Sequence, residues 1–468
     1  MLFYSDEYYI NGVVMSNINQ DNKYIRMTTE PVRRLVCAMS LPSIGSMLIT
    51  AFYNLADTFF VGKISTQATG AIGIVFSYMT LIQAVSFFFG HGSGNYISRA
   101  LGKKDRENAG KMASTGFFTA IFMGIIIGVT GEVFMKPILH LLGATDTIMP
   151  EAVKYFRYIL MTTPFIMGSF VLNNIMRMQG NAAMAVIGIS SGAVLNVVLD
   201  PILIFGFNMG TAGAGLATAV SQTIGFVLLF YLSGRRDGIK IKWKNYSMNV
   251  KNFVEIVAGG IPSLARQGLA SIATICLNNA ARSYGDSAIA AFSVVSRITM
   301  IAGSALIGFG QGFQPVCGFN YGASLYDRVK KAFWFCVRTA TIAMTAIGVF
   351  GYIFAEKIVT VFRKNDPVLI EIAVKALRYQ CISMPLVGFV VMSNMFLQNT
   401  RKTVRATVIA MARQGIMFIP VLYILGALYE LTGIQLAQTV ADVLSFVLAI
   451  PLTLSVIKEM KNTNDLQG

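Results

Sequence analysis

Histidine is nearly missing from this chain. Only His91 and His140 occur among 468 residues, too few for a histidine-rich metal site. The five cysteines, at 37, 276, 317, 336 and 381, are scattered and form no CxxC pair, which excludes a zinc-finger or disulfide framework. No Ser/His/Asp order, HExxH or phosphate-binding glycine motif occurs, so no enzyme activity and no cofactor are expected. Charge is also scarce: 13% of residues are charged, against about a quarter in soluble proteins, while 54% are hydrophobic and mean hydropathy is +0.61. Those values exclude an ordinary soluble domain. Residues 1–35 are polar and lack the apolar core of a cleavable signal peptide, so the first apolar stretch is expected to act as the insertion signal.

What remains is long apolar runs. Twelve stretches are long enough to cross a hydrocarbon core of roughly 30 Å. They cover 36–61, 68–90, 113–135, 155–178, 184–206, 212–233, 254–281, 288–313, 332–354, 376–398, 406–428 and 433–457. Several contain proline, which membrane helices tolerate when neighbours re-satisfy the freed backbone groups. Of the 38 Lys and Arg residues, 24 fall on the N-terminal side of the membrane by this layout, Arg177 counted among its loops, and 10 on the other. The positive-inside rule then makes both termini cytoplasmic, in the inner (plasma) membrane. The same bias accounts for the net charge of +16 as basic loops facing anionic lipid, and nucleic acid is not needed to explain it.

An offset of 220 residues aligns the chain with itself. Pro42, Ser43, Phe89, Gly90, Gly92, Gly102 and Lys111 fall on Pro262, Ser263, Phe309, Gly310, Gly312, Gly322 and Lys331; further on, "AVKYFRY" at 152 matches "AVKALRY" at 373. An all-α polytopic membrane protein follows, with twelve transmembrane helices in two pseudo-symmetric six-helix lobes around a central cavity. The expected organisation is a cytoplasmic N-terminal segment 1–35, an N-terminal lobe 36–233, a basic linker 234–253, a C-terminal lobe 254–457 and a cytoplasmic tail 458–468. Parallel repeats of this kind suit a transporter whose halves rock about a site at their interface.

The stretches "PSIGSMLITAFYNLADTFFVG", "LGKKDRENAGK", "MQGN" and "LNVVLDPILIFGFNMGTAGAGLATAVSQ" resemble the multidrug and toxic compound extrusion (MATE) family, over essentially residues 30–457. The resemblance implies an antiporter that exports organic cations and amphipathic drugs in exchange for protons or sodium ions. The pattern is most similar to the DinF-like branch, whose coupling residues correspond here to Asp57, Asn196, Asp200 and Thr218. The NorM-like branch relies on a carboxylate midway along the seventh helix. "ARQGLASIATICLNNAA" has none there.

The residues support this independently. A charge at the bilayer centre costs at least ~2.5 kcal/mol, so an acid inside "NVVLDPILIFG" needs a role or a partner. Asn196 and Asp200 lie one helical turn apart on one face, and a second carboxylate at Asp57 would make the site attractive to a proton or cation. The plainer readings are an Asp200–Arg pair made for packing, an Asp57 that caps a helix, and a Thr218 bonded to its own backbone. Lower-ranking candidates for the substrate cavity are Asn173, Asn174, Asn278, Asn279, Arg266 and Asp442, for which helix-to-helix bonding is the competing role. Arg297 and Arg413 are expected to snorkel or to pair with an acid. Small amphipathic or cationic molecules and membrane lipid are the expected partners, and a monomer the expected state. Export of an endogenous metabolite, or flipping of a lipid-linked precursor, are the alternative functions.

Overall fold

A computed structural model describes residues 21–234, 238–362 and 366–465. Residues 1–20 of the expected N-terminal segment, 235–237 of the linker and 466–468 of the tail lie outside the described residues, as do the cations at 363 and 364. The described chain is a multi-pass membrane protein of helices running α1 (Val32–Gly62), α2 (Thr66–Gly102), α3 (Arg106–Val133), α4 (Met149–Met178), α5 (Ala182–Pro201), α6 (Gly210–Ser233), α7 (Val250–Arg282), α8 (Asp286–Gly322), α9 (Tyr326–Ile353), α10 (Pro367–Asn399), α11 (Thr403–Met411) and α12 (Phe418–Asp465). Side-chain caps fix several starts: Ser65, Asp105, Asn249 and Asp366 each accept from a backbone N–H three residues on, and Pro367 follows at the first helical position of α10.

Ten segments are long and apolar enough to span by composition, and two observations bring the number to twelve. α7 has the length, at 33 residues, but its polar content (Arg266, Gln267, Asn278 and Asn279 among others) keeps it off the apolar set. The final segment, Thr403–Met460, holds two spans. They are α11 with a π-helical turn (Ala412–Ile416) and the first part of α12, then the remainder of α12 after a reversal at Tyr429 and Glu430, where Glu430 adopts φ 51°. A β-carbon on Gly433 would strike the Leu425 carbonyl, so this hairpin between spans needs a glycine there.

The duplication extends to backbone detail. Lys104 and Ser324, 220 residues apart, both take φ 60°, and short helices Met135–Leu141 and Ala355–Phe362 follow α3 and α9; the π turns of the fifth and eleventh spans, Ile202–Gly206 and Ala412–Ile416, do not fall at matching positions. The expected ends of spans two and eight, residues 90 and 313, fall short of the observed ones, because α2 and α8 continue to Gly102 and Gly322. Their glycine-rich stretches are contact surfaces, where a side chain would be in the way. A β-carbon on Gly92 would meet the backbone of Ile256, and one on Gly259 would stand 2.9 Å from Gly92. Small residues let membrane helices approach this closely.

The two cores do not divide the chain at the linker. Leu35, Val36 and Met39, from the first turns of α1, are buried in the core of the C-terminal lobe, and Val61 near its other end belongs to the N-terminal core. α7 does the converse, with Ile256 in the N-terminal core and Ala273 and Ala281 in the C-terminal one. Each lobe's first helix is thus rooted in the other lobe.

Contacts between lobes cluster at the end nearest the termini. Ser40 donates to the Phe309 carbonyl at 2.9 Å, and a β-carbon on Gly308 would meet Ile44. Farther from that end on the same helices, Gly73, Gly268 and Gly303 have nothing within 4 Å of a built β-carbon. We read this as lobes that close at one end and part at the other, with a cleft between them.

Candidate functional site

Four helices of the N-terminal lobe gather the polar groups. Asn196 and Asp200 lie one turn apart near the end of α5, just before Pro201 and the π turn, and are 1% and 0% exposed. The Asn196 side-chain amide donates to Thr218 Oγ1 on α6 at 3.3 Å, so Thr218 joins the group through its side chain. Asp57, 8% exposed, comes from α1, five residues before that helix ends, and therefore caps nothing. The α4 residue Tyr155 is buried within electrostatic reach of Asp57 and Asp200, and its hydroxyl points to Met79 Sδ at 4.0 Å.

Acceptors outnumber donors here. Asp57 Oδ1, Asn196 Oδ1 and both carboxylate oxygens of Asp200 are buried without a hydrogen-bond partner. No cation pairs with Asp200 among the described residues, which leaves the packing ion pair without its second member. Uncompensated carboxylates out of water are expensive. The arrangement suits one occupant, a proton or a small bare cation, which oxygen ligands can take.

A recess adjoins this group. It is lined by Thr50, Tyr53, Phe76, Met79, Gln83, Phe170 and Gln222 among others. Tyr53 lies one turn before Asp57 on α1 and Gln222 one turn after Thr218 on α6, and both line the recess. A mostly apolar wall with a few amides and a phenol fits amphipathic molecules of varied shape. Tyr53, Tyr155, Gln83 and Gln222 did not stand out as site residues in the sequence. For Tyr155 a signal existed: it falls inside "AVKYFRY", where the repeat-mate is Ala376, so the two lobes differ at that position.

The other candidates are placed differently. Asn173 donates to the Ala185 carbonyl at 2.9 Å, and its repeat-mate Asn394 to Ala406 at 2.6 Å; both tie adjacent helices. Asn174 donates to Phe170 and accepts from Arg177. Asn278 and Asn279 are exposed at the far end of α7. Asp442 is saturated, accepting from Arg413 at 2.8 Å, Ser383 at 2.9 Å and Gln438 at 2.9 Å. Asp442→Ala is expected to cost about 1–3 kcal/mol, because it strands a partly exposed Arg413. A lower thermal midpoint in detergent, restored by removing Arg413 as well, is the check. An unchanged midpoint would contradict it.

Arg177 is corrected by the structure. The loop count puts it with the basic loops, whereas it is 3% exposed in the lobe interface. It donates to Gln311 of α8 at 2.5 Å and approaches His91 of α2. His91 meets Ser263 at 3.0 Å, and Gln398 donates to Ser263 at 2.8 Å. His91 and Gln311 are repeat-mates, so this polar knot sits about the pseudo-twofold axis. Nearer the termini, Glu255, 6% exposed, is held by Arg99 at 3.0 Å and Arg401 at 2.6 Å.

Known proteins point the same way. The family model described as MatE matches residues 42–202 and 262–424. The multidrug export protein MepA of Staphylococcus haemolyticus is 27% identical over 436 residues, covering 92% of this chain and 95% of that protein. MepA of Staphylococcus aureus is 27% identical over 428 residues, covering 90% and 94%. Among solved structures, MATE in complex with MaL6 superposes with a TM-score of 0.89 at 24% identity, over 94% of this chain and 99% of that one. An outward-facing conformation of a multidrug resistance MATE family transporter gives 0.87 at 24% identity, over 93% and 99%.

Proposed function

This chain belongs to the MatE family, a transporter family, and from that premise we propose that it is an antiporter exporting amphipathic and cationic molecules in exchange for protons or sodium ions. The observation that carries the coupling is the cluster of unpartnered buried oxygens on Asp57, Asn196 and Asp200. Cargo in the adjoining recess meets this site through Tyr53, which lines the recess one turn from Asp57. The MepA relatives are multidrug export proteins, which supports a similar cargo class here.

The cycle runs by alternating access. With the cleft open away from the termini, a proton or sodium ion enters between Asp200 and Asp57 and lowers their joint negative charge by one. The cationic cargo loses its electrostatic hold and leaves. Because the first turns of α1 are seated in the opposite lobe, a change in how Asp57 sits against α4 and α5 is passed to the lobe contact, and the lobes rock. The ion departs on the other side and the re-ionised acids favour a new cation. Ion and cargo bias the same two-state equilibrium in opposite directions, which is what coupling requires. In this reading the termini and the linker at 234–253 are cytoplasmic, the cleft faces outward, lobes 36–233 and 254–457 move as a monomer in the inner membrane, and lipid surrounds them.

Dye efflux from proteoliposomes tests this with a pH gradient and a sodium gradient imposed separately. Uphill efflux driven by one of them names the ion, with ~2.3 kcal/mol, about forty-fold in concentration, available per charge per 100 mV. Downhill leakage alone under both gradients would refute the antiport reading.

A further inference from the structure

The C-terminal wall of the cleft is electrostatically unlike the N-terminal one. Arg266 lies two turns beyond Gly259 on α7. Residues seven apart share a helix face, and Gly259 is the residue that touches Gly92 of the other lobe. Arg266 therefore looks toward the opposite lobe, past the point where the lobes part, and it is half-buried. Among the described residues it makes no ion pair or hydrogen bond.

Its charged neighbours do not compensate it. Arg413 is within electrostatic reach from the π turn after α11, and His91 from α2. The Leu269 side chain, one turn beyond Arg266, packs where a β-carbon on Gly415 would stand, which fixes α7 against that turn. The nearby acid, Asp442, is already bound by Arg413, Ser383 and Gln438. Arg413 thus has a carboxylate partner and Arg266 has none among the described residues. A cation in a low-dielectric setting without a counter-charge is costly. The matching positions in the other lobe are Ser46 and Gly192, so the scaffold does not require arginine at either place.

We propose that Arg266, backed by Arg413, binds the carboxylate of zwitterionic cargo, whose cationic end faces the acidic N-terminal lobe. This rests on the drug-cargo reading and adds an anion site to it. Guanidinium suits the task because its planar fork matches a carboxylate and stays charged at any working pH. The cleft then selects for amphipaths with separated opposite charges as well as for simple cations.

The test uses a rhodamine free acid and its methyl ester, which share one cationic ring system and differ in a single negative charge. Binding to the purified full chain in detergent is measured by fluorescence polarisation for wild type, Arg266→Gln and Arg266→Lys. Arg266→Gln is expected to weaken free-acid binding by about 10-fold or more, the size of a charge-assisted hydrogen bond, and to leave ester binding within about twofold. Arg266→Lys keeps the charge and should recover most of the free-acid affinity. Unchanged ester binding also shows that the variant is folded. Equal weakening of both dyes, or of neither, would overturn the anion site while leaving the drug-cargo reading intact. A wild type that binds neither dye would overturn both.

Discussion

Asp200→Asn should abolish gradient-driven efflux and leave the protein at least as stable as wild type. The substitution keeps the shape of the side chain and removes its charge. Asn cannot take up and release a proton, and it lowers the negative charge that would hold sodium. Accumulation against a gradient, about forty-fold per 100 mV at the limit for one charge, should fall to none, while passive equilibration of dye persists. The stability outcome has the opposite sign from that of most core substitutions. Both Asp200 oxygens are buried without a donor, so ionised Asp200 is a burden on the fold, and an amide costs less to bury than a carboxylate. A thermal midpoint that rises together with lost coupling identifies a functional carboxylate. A midpoint that falls while uphill transport survives would mean that Asp200 is structural and that coupling lies elsewhere.

The second large effect is expected at Glu255. This carboxylate joins Arg99 from α2 to Arg401 beyond α10 and is nearly sealed from solvent. Glu255→Gln strands Arg99, and removing one partner from a buried pair costs roughly 3–5 kcal/mol. Arg401 is 59% exposed and can turn to water, so the lower end of that range applies. The cost falls on the state in which the lobes meet at this end. A shift of about 3 kcal/mol changes the ratio of the two states by more than 100-fold. Single cysteines placed along the Gly73 and Gly268 faces should react with a membrane-impermeant thiol reagent more slowly in Glu255→Gln than in the parent, as the cleft closes. Equal rates would show that the cluster does not set the equilibrium.

Much of the fold was legible because a bilayer enforces it. Span length, the one-sided basic loops and the 220-residue offset are linear properties, and they suffice for twelve helices in two lobes. Asn196 and Asp200 were also visible, since one turn of helix puts them on one face. Tyr155 was not: it comes from α4, which carries no other member of the site, and that convergence is a product of packing. The loop count misplaced Arg177 for a related reason. It sits at the end of a span, where charge usually meets headgroups, but a polar knot of His91, Gln311 and Asn174 around it makes burial tolerable. Residues 91–102 and 314–322 lay beyond the expected span ends, whereas Gly92, Gly102, Gly318 and Gly322 there form smooth faces on which the lobes touch.

The crossed first helices have a consequence for how the molecule is made. Leu35, Val36 and Met39 emerge from the ribosome early, yet the core that buries them is built from residues beyond Ala273. The start of α1 must wait in lipid, unpartnered, until α8 has been synthesised and inserted. A fragment ending at the linker is therefore not a self-sufficient folding unit. Co-expressed halves would have to trade their leading helices before either became compact, and a nascent chain stalled midway would display the Met39 face as a handle for membrane quality control.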